Sequence, residues 1–600
     1  MVRIITKSVL FLLCSIITLL FGQAKTDSLY IRTNLVGYLP DDAKVAVAFS
    51  NRAVRGKFNV VDVSSGKTVF TGKITPSPAP GYNNFTFYYH LEFTALQTSG
   101  NYQIEIPKIP AVTTPFTISK NAYGNYAEDL LGFMRQQRCG YNPYFNHTCH
   151  EKDGRTMDGP MPDSTYIDAR GGWHDAGDQL KYLITSSNAT ARMIMAYQLF
   201  PEKFADEVNA LGQPGKNQIP DVLDEARWGL DWIHNLHPVP GQLFHQVADD
   251  RDHIGWKLPT SDPSNYGWGK NSYRVAYYAT GSPQGRGRYK SEATGIANLA
   301  GRSAAALALG YQVWKHELHD EAYALKCLEA AKDLYNMAKK QEGYQQGNSF
   351  GAPYRYNEDT WTDDMEWAAA ELYRATRETR YLEDAKKYAV ATGTLSWIEN
   401  DTTAHYQHYP FLNIAHYSLY SLVDDDFKKK LAGYYQAGIE KTLKRANKNA
   451  FGYGVPFIWC SNNLAVDLAL QILLYEKMTG DLTYHSYALA IRDWLLGRNP
   501  WGTSMFMNIP QHGEYPQDVH TSTWALTKKE VPGGLVDGPI YTRIYNSLIG
   551  LKLNQPDEMA AFQNTYVVYH DDIGDYSTNE PTMDGTACAI MLLAWFEQIP

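Results

Sequence analysis

The sequence predicts a mainly α protein: a closed (α/α)6 barrel of six helical hairpins, preceded by a small all-β sandwich. Two changes of texture carry this prediction. Residues 28–119 hold short β-rich runs punctuated by Gly and Pro, and residues 121–600 hold one helical run after another. Roughly twelve such runs, joined mostly by short connections, pair as layered hairpins that close into a ring.

Taken in order, residues 1–24 read as an export signal. Arg3 and Lys7 give a basic start, residues 9–21 an apolar run, and Gly22-Gln23-Ala24 a small-x-small-like cleavage site. The run is short for a membrane span, so an uncleaved anchor is the lesser reading. Cys14 lacks a lipidation box. The mature chain is expected in the periplasm or outside the cell, without an integral membrane segment. VAVAF (45–49), FNVVDV (58–63), FTFYYHLEF (85–93) and YQIEIP (102–107) are the expected strands, and 109–115 the linker. Helices are expected over 123–137, 179–199, 220–236, 295–315, 320–339, 363–378, 382–393, 425–445, 461–477, 484–496 and 582–596. The long connections 138–172, 238–293 and 499–538 are rich in Gly, Pro, His, Tyr and Trp, the kind of loop that carries function on a rigid scaffold.

A net charge of −9 with no Lys/Arg run argues against nucleic acid as a partner. Aromatics make up 13% of the residues, enough to supply both a core and flat faces for stacking sugars. A monomer is expected.

The chemistry is sought in GGWHDAGDQLKY (171–182), where Asp175 and Asp178 stand behind a Gly-Gly-Trp. If a helix starts at Gln179, Asp178 lies at the end of the helix dipole that favours a carboxylate. A third carboxylate, Glu580, precedes another helical run, and Asp571, Asp572 and Asp575 lie just upstream of it. An inverting glycosidase needs one carboxylate to activate water and a protonated acid across the sugar, roughly 6.5–9.5 Å away. Burial or neighbouring carboxylates raise the acid's pKa. On spacing alone, two helix-capping aspartates remain the commoner reading.

GGWHDAGDQLKY resembles the signature of glycoside hydrolase family 9, the cellulase family with an (α/α)6 barrel. NQIPDVLDEARWGLDW (217–232), DDMEWAAAELYRAT (363–376), YGVPFIWCSNN (453–463), WLLGRNPWGTSMF (494–506), PGGLVDGP (532–539) and DYSTNEPTMDGTA (575–587) look like family blocks in family order. TNLVGYLPDDAKVAVAF (33–49) is similar to the start of the immunoglobulin-like domain that precedes many such barrels. The resemblance implies Asp178 as general base, Asp175 as a holder of the nucleophilic water and Glu580 as general acid, with Tyr576 and Asn579 shaping the acid's surroundings. The implied reaction is inverting hydrolysis of β-1,4-glucosidic bonds in cellulose or a related β-glucan, with no cofactor for the chemistry. One departure stands out. Family cellulases carry a Pro-His-x-Arg segment, but IPQHGEYPQDVHTSTW (509–524) has no arginine after a histidine, so His520 or His512 takes that place. Specificity then shifts toward xyloglucan, mixed-linkage glucan, oligosaccharides or an aminosugar polymer. The alternatives are an exo-acting glucosaminidase or oligosaccharidase on the same fold and, in another class, a non-catalytic glycan-binding protein.

Cys139, Cys149, His150 and His174 supply two thiolates and two imidazoles, a complete tetrahedral set for structural zinc. The resemblance implies such a site in this region. A Cys139–Cys149 disulfide is the competing reading. Thr360, Asp363, Asp364 and Asp401 resemble a family calcium site, against the alternative of a helix N-terminus decorated with acids. Asp221, Asp224 and Glu225 form a weaker calcium candidate. Trp173, Trp256, Trp268, Trp361, Trp459 and Trp501 are candidate sugar platforms, each also explicable as core.

Overall fold

The computed structural model describes residues 28–82, 84–352, 354–393, 414–530 and 532–598. The expected export signal at 1–24 and the calcium candidate Asp401 lie outside the described residues.

The N-terminal strands are β1 (Tyr30–Arg32), β2 (Val45–Ser50), β3 (Lys57–Asp62), β4 (Thr68–Lys73), β5 (Thr75–Pro76), β6 (Phe87–Glu92), β7 (Gly100–Glu105) and β8 (Phe116–Ile118). They form two antiparallel four-stranded sheets, β1-β2-β6-β5 and β4-β3-β7-β8. Strands β1, β4, β5 and β8 were not legible. Three of them are only two or three residues long, and β4 exposes alternate residues with little apolar signal. Because β8 returns to pair with β7, residues 109–115 form a loop inside the sandwich rather than the expected linker.

The period-two geometry of a strand explains why β2 is buried on both faces. Ala46 and Ala48 face the sandwich core with Phe58, Val60 and Leu91, while Val47 and Phe49 join the core of the helical part. Polar contacts seal the junction. Asn34 Nδ2 donates to Asp493 Oδ1 at 2.8 Å and to the Tyr123 hydroxyl at 3.0 Å, and Arg492 pairs with Asp42 at 2.9 Å.

Among the described residues twelve helices of seven residues or more build the remainder, besides the short turns Ser522–Thr527 and Thr542–Tyr545: α1 (Tyr126–Gln137), α2 (Leu183–Leu199), α3 (Asp221–Leu236), α4 (Ala297–His316), α5 (Glu321–Lys340), α6 (Thr362–Thr376), α7 (Thr379–Thr392), α8 (Ile414–Tyr420), α9 (Asp425–Ala446), α10 (Ser461–Thr479), α11 (His485–Leu495) and α12 (Met583–Phe596). The even-numbered helices touch in succession and α12 returns to α2, which closes an inner ring. Each inner helix is backed by an outer one, and α1 backs α12, so the two ends of the helical region complete the last hairpin. Burial follows the layers. Helix α2 is buried all round from Leu183 to Ala196, whereas α5 buries one stripe including Tyr323, Cys327, Ala331 and Leu334. Among the described residues no helix is long and apolar enough to cross a membrane.

Two expectations are corrected near the site. Helix α2 starts at Leu183 rather than Gln179, because Lys181 and Tyr182 pair with Val247 and Gln246. The connection 238–293 is likewise no plain loop. Its strands Phe244–Val247 and Val275–Tyr278, together with Arg155–Met157 and Lys181–Tyr182, make a four-stranded sheet beside the N-terminal end of α2.

Candidate active site

The pairing of Lys181–Tyr182 pulls the preceding residues into a closed turn. The Asp175 N–H donates to Leu180 O at 2.9 Å, and the Leu180 N–H donates to Asp178 Oδ1 at 2.8 Å. Inside this turn Asp175 points into the barrel, accepting from Thr185 Oγ1 at 3.0 Å and the Tyr356 hydroxyl at 2.6 Å. Asp178 is less buried, its side chain 17% exposed, with His253 Nε2 3.0 Å from its Oδ2. It does not cap a helix, so the expected dipole stabilisation is replaced by this imidazole and the Leu180 amide.

Glu580 reaches the same turn from the other end of the chain. Pro581–Thr582 pairs with Leu535–Val536, and the Met583 N–H donates to Asp175 O at 2.9 Å. The Gly177 N–H then donates to Glu580 Oε1 at 2.9 Å. A Cβ at Gly177 would lie 2.3 Å from His520 O and 2.7 Å from Glu580 Oε1, so only glycine permits this approach. The electrostatics of the two carboxyls are opposite. Burial and the neighbouring Asp537 and Asp178 push the Glu580 carboxyl well above the usual range. Burial also presses Asp178 upward, but the hydrogen bond and charge of His253 outweigh it and hold that carboxyl below its ordinary value. Asp175 is pushed up by burial and by Asp178.

Glu580 and Asp178 are thus both partly buried and stand on either side of one glycine, with opposite pressures on their protons. Residues 123–593 match the model of glycosyl hydrolase family 9, and residues 27–110 match that of a cellulase N-terminal ig-like domain. The chain is a family 9 glycosyl hydrolase. It is 24% identical over 540 residues to a xyloglucan-specific endo-beta-1,4-glucanase of Bacteroides ovatus, covering 85% of each chain. It is 25% identical over 534 residues to endoglucanase D of Acetivibrio thermocellus, covering 85% of this chain and 78% of that one. Among solved structures, a metagenome-derived glycoside hydrolase family 9 endoglucanase superposes with a TM-score of 0.74 at 25% identity, over 95% of this chain and 99% of the other.

In this glycosidase the acids expected to tune Glu580 do other work. Asp571 accepts from the amides of Gln517 and Asp518 and from Asn579, and Asp572 from the amides of Asn554, Gln555 and Gly574. Asp575 binds His570, Ser577 and Thr578. These three brace loops, and it is Asp537, from the PGGLVDGP segment, that acts on Glu580. Asn579 ties Asp571 to the Asp518 carbonyl, and Tyr576 donates to Ile549 O.

Rings line the surface beside these carboxyls. Trp256 lies 4.6 Å from His520 between centroids, His520 is 6.0 Å from Tyr576, and Tyr576 is 5.8 Å from Trp459. His520 Nδ1 bonds Ile573 O, which orients its ring, whereas His512 is exposed on a turn. On the other side Tyr354, 41% exposed, packs against His253. His253 and Tyr354 carried no sequence signal. Trp173 is corrected: it is fully buried and donates to Glu225 at 2.7 Å, so it is core rather than platform. Trp501 is also core, against Trp494 and Tyr569. Trp361 packs on Tyr388 at the start of α6, and Trp268 lies by Arg155.

Cys139, Cys149, His150 and His174 bring their ligand atoms within 4.8 Å of one another. Cys139 and Cys149 are free thiols, which removes the disulfide reading. His150 Nδ1 faces Cys139 Sγ at 3.5 Å and His174 Nε2 at 3.3 Å, while its Nε2 is held by Asp262. That carboxylate–histidine pattern leaves Nδ1 free for a metal, so the donor set fits zinc. Arg274 ties this cluster to the carboxylate turn, contacting Cys139 Sγ and donating to Gln179 O, Asp252 and Asp153.

A second cluster joins Asp363 and Asp364 to Glu358, which was not anticipated. Arg302 pairs with one oxygen of each aspartate. Thr360 Oγ1, Asp363 Oδ1, Asp364 Oδ2 and Glu358 Oε1 remain buried without hydrogen-bond partners. Three carboxyls against one guanidinium, which also lies 3.8 Å from Glu358 Oε1, with four buried hard oxygens lacking hydrogen bonds, fit a calcium ion. The Asp221, Asp224 and Glu225 candidate does not fit one. Asp221 is paired with Arg135 and Glu225 with Arg138, and Asp224 accepts from Asn217.

Proposed function

We propose that this glycosidase hydrolyses β-1,4-linked glucan by single displacement with inversion. Asp178 acts as general base, Glu580 as general acid, and Asp175 helps to hold the attacking water. The observation that carries the reading is the opposite electrostatic treatment of Glu580 and Asp178 on either side of Gly177. An ionised carboxylate removes the proton of water as it attacks the anomeric carbon. The neutral Glu580 gives its proton to the departing oxygen, so no free alkoxide forms. The same opposition weighs against a non-catalytic glycan-binding protein, which has no use for an acid kept neutral.

The ring series Trp256, His520, Tyr576 and Trp459 is the proposed substrate wall. Names of the relatives point to internal cleavage of cellulose-like or xyloglucan chains. The absent arginine in 509–524 leaves exo action on oligosaccharides or glucosamine polymers as the second reading. Zinc on Cys139, Cys149, His150 and His174 supplies rigidity, since its four donors leave no position for substrate. Calcium held by Thr360, Glu358, Asp363 and Asp364 would neutralise the acids at the start of α6. We read a monomer, divided into residues 28–119 and 121–600 and exported to the periplasm or beyond.

The test is product analysis by NMR on cellulose, xyloglucan, lichenan and chitosan oligomers. Inverted anomers are expected from the native chain. Losses of roughly 10²–10⁴-fold are expected in Glu580→Gln and Asp178→Asn. Retained configuration, or normal turnover by either variant, overturns the assignment.

A further inference from the structure

We infer that Asp250 is a positioning residue for the base: its carboxylate clasps the loop that carries Tyr354, and Tyr354 in turn holds the His253 imidazole on Asp178. This rests on the reading of Asp178 as the base.

Two loops form a closed circuit here. Asp250 opens a single helical turn, Asp250–Asp252, and the next residue, His253, donates its N–H to Asp250 O at 3.3 Å. Asp249 ties that turn to the four-stranded sheet. It accepts from the Tyr277 hydroxyl at 2.6 Å and from the Arg251 guanidinium at 2.9 and 2.6 Å. The facing loop starts at Gly347, whose N–H donates to Tyr356 O at 3.1 Å and so closes its neck. Gln246 docks that neck on the sheet, accepting the Asn348 N–H at 2.6 Å and donating to Asn348 O at 3.0 Å. Arg355, on the returning limb, donates to Tyr289 O at 3.0 Å. Asp250 takes the outgoing limb. Its Oδ1 accepts the Phe350 N–H, and its Oδ2 accepts the Gly351 N–H at 2.6 Å. Amide bonds to an ionised carboxylate are the stronger kind. The guanidinium groups of Arg251 and Arg286 lie 4.1 and 4.3 Å from the Phe350 ring centroid and add to the grip.

The clasp reaches the base through one ring. Tyr354 stands three residues beyond Gly351, and its ring meets the His253 ring edge-on at 4.7 Å between centroids. The His253 side chain is 28% exposed, so burial alone does not fix its rotamer. With Tyr354 against its flank, its Nε2 stays 3.0 Å from Asp178 Oδ2. Releasing Phe350 and Gly351 frees the limb that carries Tyr354, and the imidazole loses its support.

Charge offers a second route that the test must separate. His253 is faced by Asp178, Asp252 and Asp250. Asp252 is itself paired with Lys257 and Arg274. Asp178 is faced in addition by Asp175, Glu580, His174, Tyr182 and His520.

The test is the acidic limb of the kcat/KM profile on a β-glucan for the full chain. Asp178 works ionised, so activity falls as pH drops through its pKa, and loss of the imidazole bond raises that pKa. Asp250→Ala is expected to move this limb upward by about half a pH unit or more, in the same direction as His253→Ala. In the His253→Ala background the same substitution is expected to add no further shift, because its effect passes through the imidazole. Asp250→Asn loses the charge but keeps an oxygen for one amide, so its shift is expected to be smaller than that of Asp250→Ala. An unmoved limb in Asp250→Ala overturns the inference. Equal shifts in Asp250→Asn and Asp250→Ala, or additive shifts with His253→Ala, overturn it as well, since charge or another route then accounts for them. Should Asp250→Ala not fold, Tyr354→Ala decides: a limb that stays put in that variant has the same force. Asp178→Asn is the separate control: normal polymer turnover there sinks the base assignment itself, whatever Asp250 does.

Discussion

His253 Nε2 lies 3.0 Å from Asp178 Oδ2, so the proposed base already carries a proton donor on one oxygen. The histidine stabilises the ionised carboxylate and lowers its basicity. It also keeps Asp178 ionised into acidic solution, which widens the range over which base and acid coexist.

His253→Ala is therefore expected to shift the acidic limb of the pH–rate profile upward. Asp178 has a depressed pKa and works ionised, so activity is lost as pH falls through that pKa. Without the imidazole the loss begins at higher pH. An unmoved acidic limb in kcat/KM counts against this role.

Gly177→Ala is expected to lower kcat by more than about 10²-fold, because misplacement by an ångström at a reacting group costs that much. The added methyl meets His520 O and Glu580 Oε1, and His520 is held by its Nδ1 bond to Ile573 O and its N–H bond to Asn579 O. Circular dichroism should show an intact fold. Native kcat would contradict the geometry.

Zinc at the Cys139 cluster is expected at one ion per chain by metal analysis. Chelation, or Cys149→Ser, should lower Tm and kcat together, since Arg274 links the cluster to Gln179 beside Asp178. Zinc-free protein of unchanged Tm would remove the metal from the account.

Calcium is expected to raise Tm, and Glu358→Gln to weaken that response by removing one of the buried hard oxygens. A titration of Tm against free calcium checks it. An identical dependence in the variant would show that Glu358 is no ligand.

Phe49→Ala should destabilise the protein by about 3–5 kcal/mol, the cost of deleting a fully buried aromatic ring. Its ring meets Phe451 and Phe562 of the helical part, so the loss is expected in a single unfolding transition monitored by denaturant.

Much of the fold was legible, because the outer helices carry an apolar stripe at helical period and the inner ones are long runs without proline. The short strands were not, since two or three residues carry no period. Within the site, Asp175, Asp178 and Glu580 could be picked out because they sit in motifs of unusual wording. Their partners could not. His253 is 75 residues from Asp178, and Asp537 is an acid in a segment with no chemical signature of its own. Trp173 failed as a platform for the complementary reason: a tryptophan reads alike whether it faces sugar or Glu225.

Local pattern and wording were enough for the family, the layered architecture and the choice of Asp175, Asp178 and Glu580 as candidates. The opposite pressures on the Glu580 and Asp178 carboxyls came only with the folded chain. Protonation depends on burial and on donors a few ångströms away, and those donors come from segments far apart along the chain.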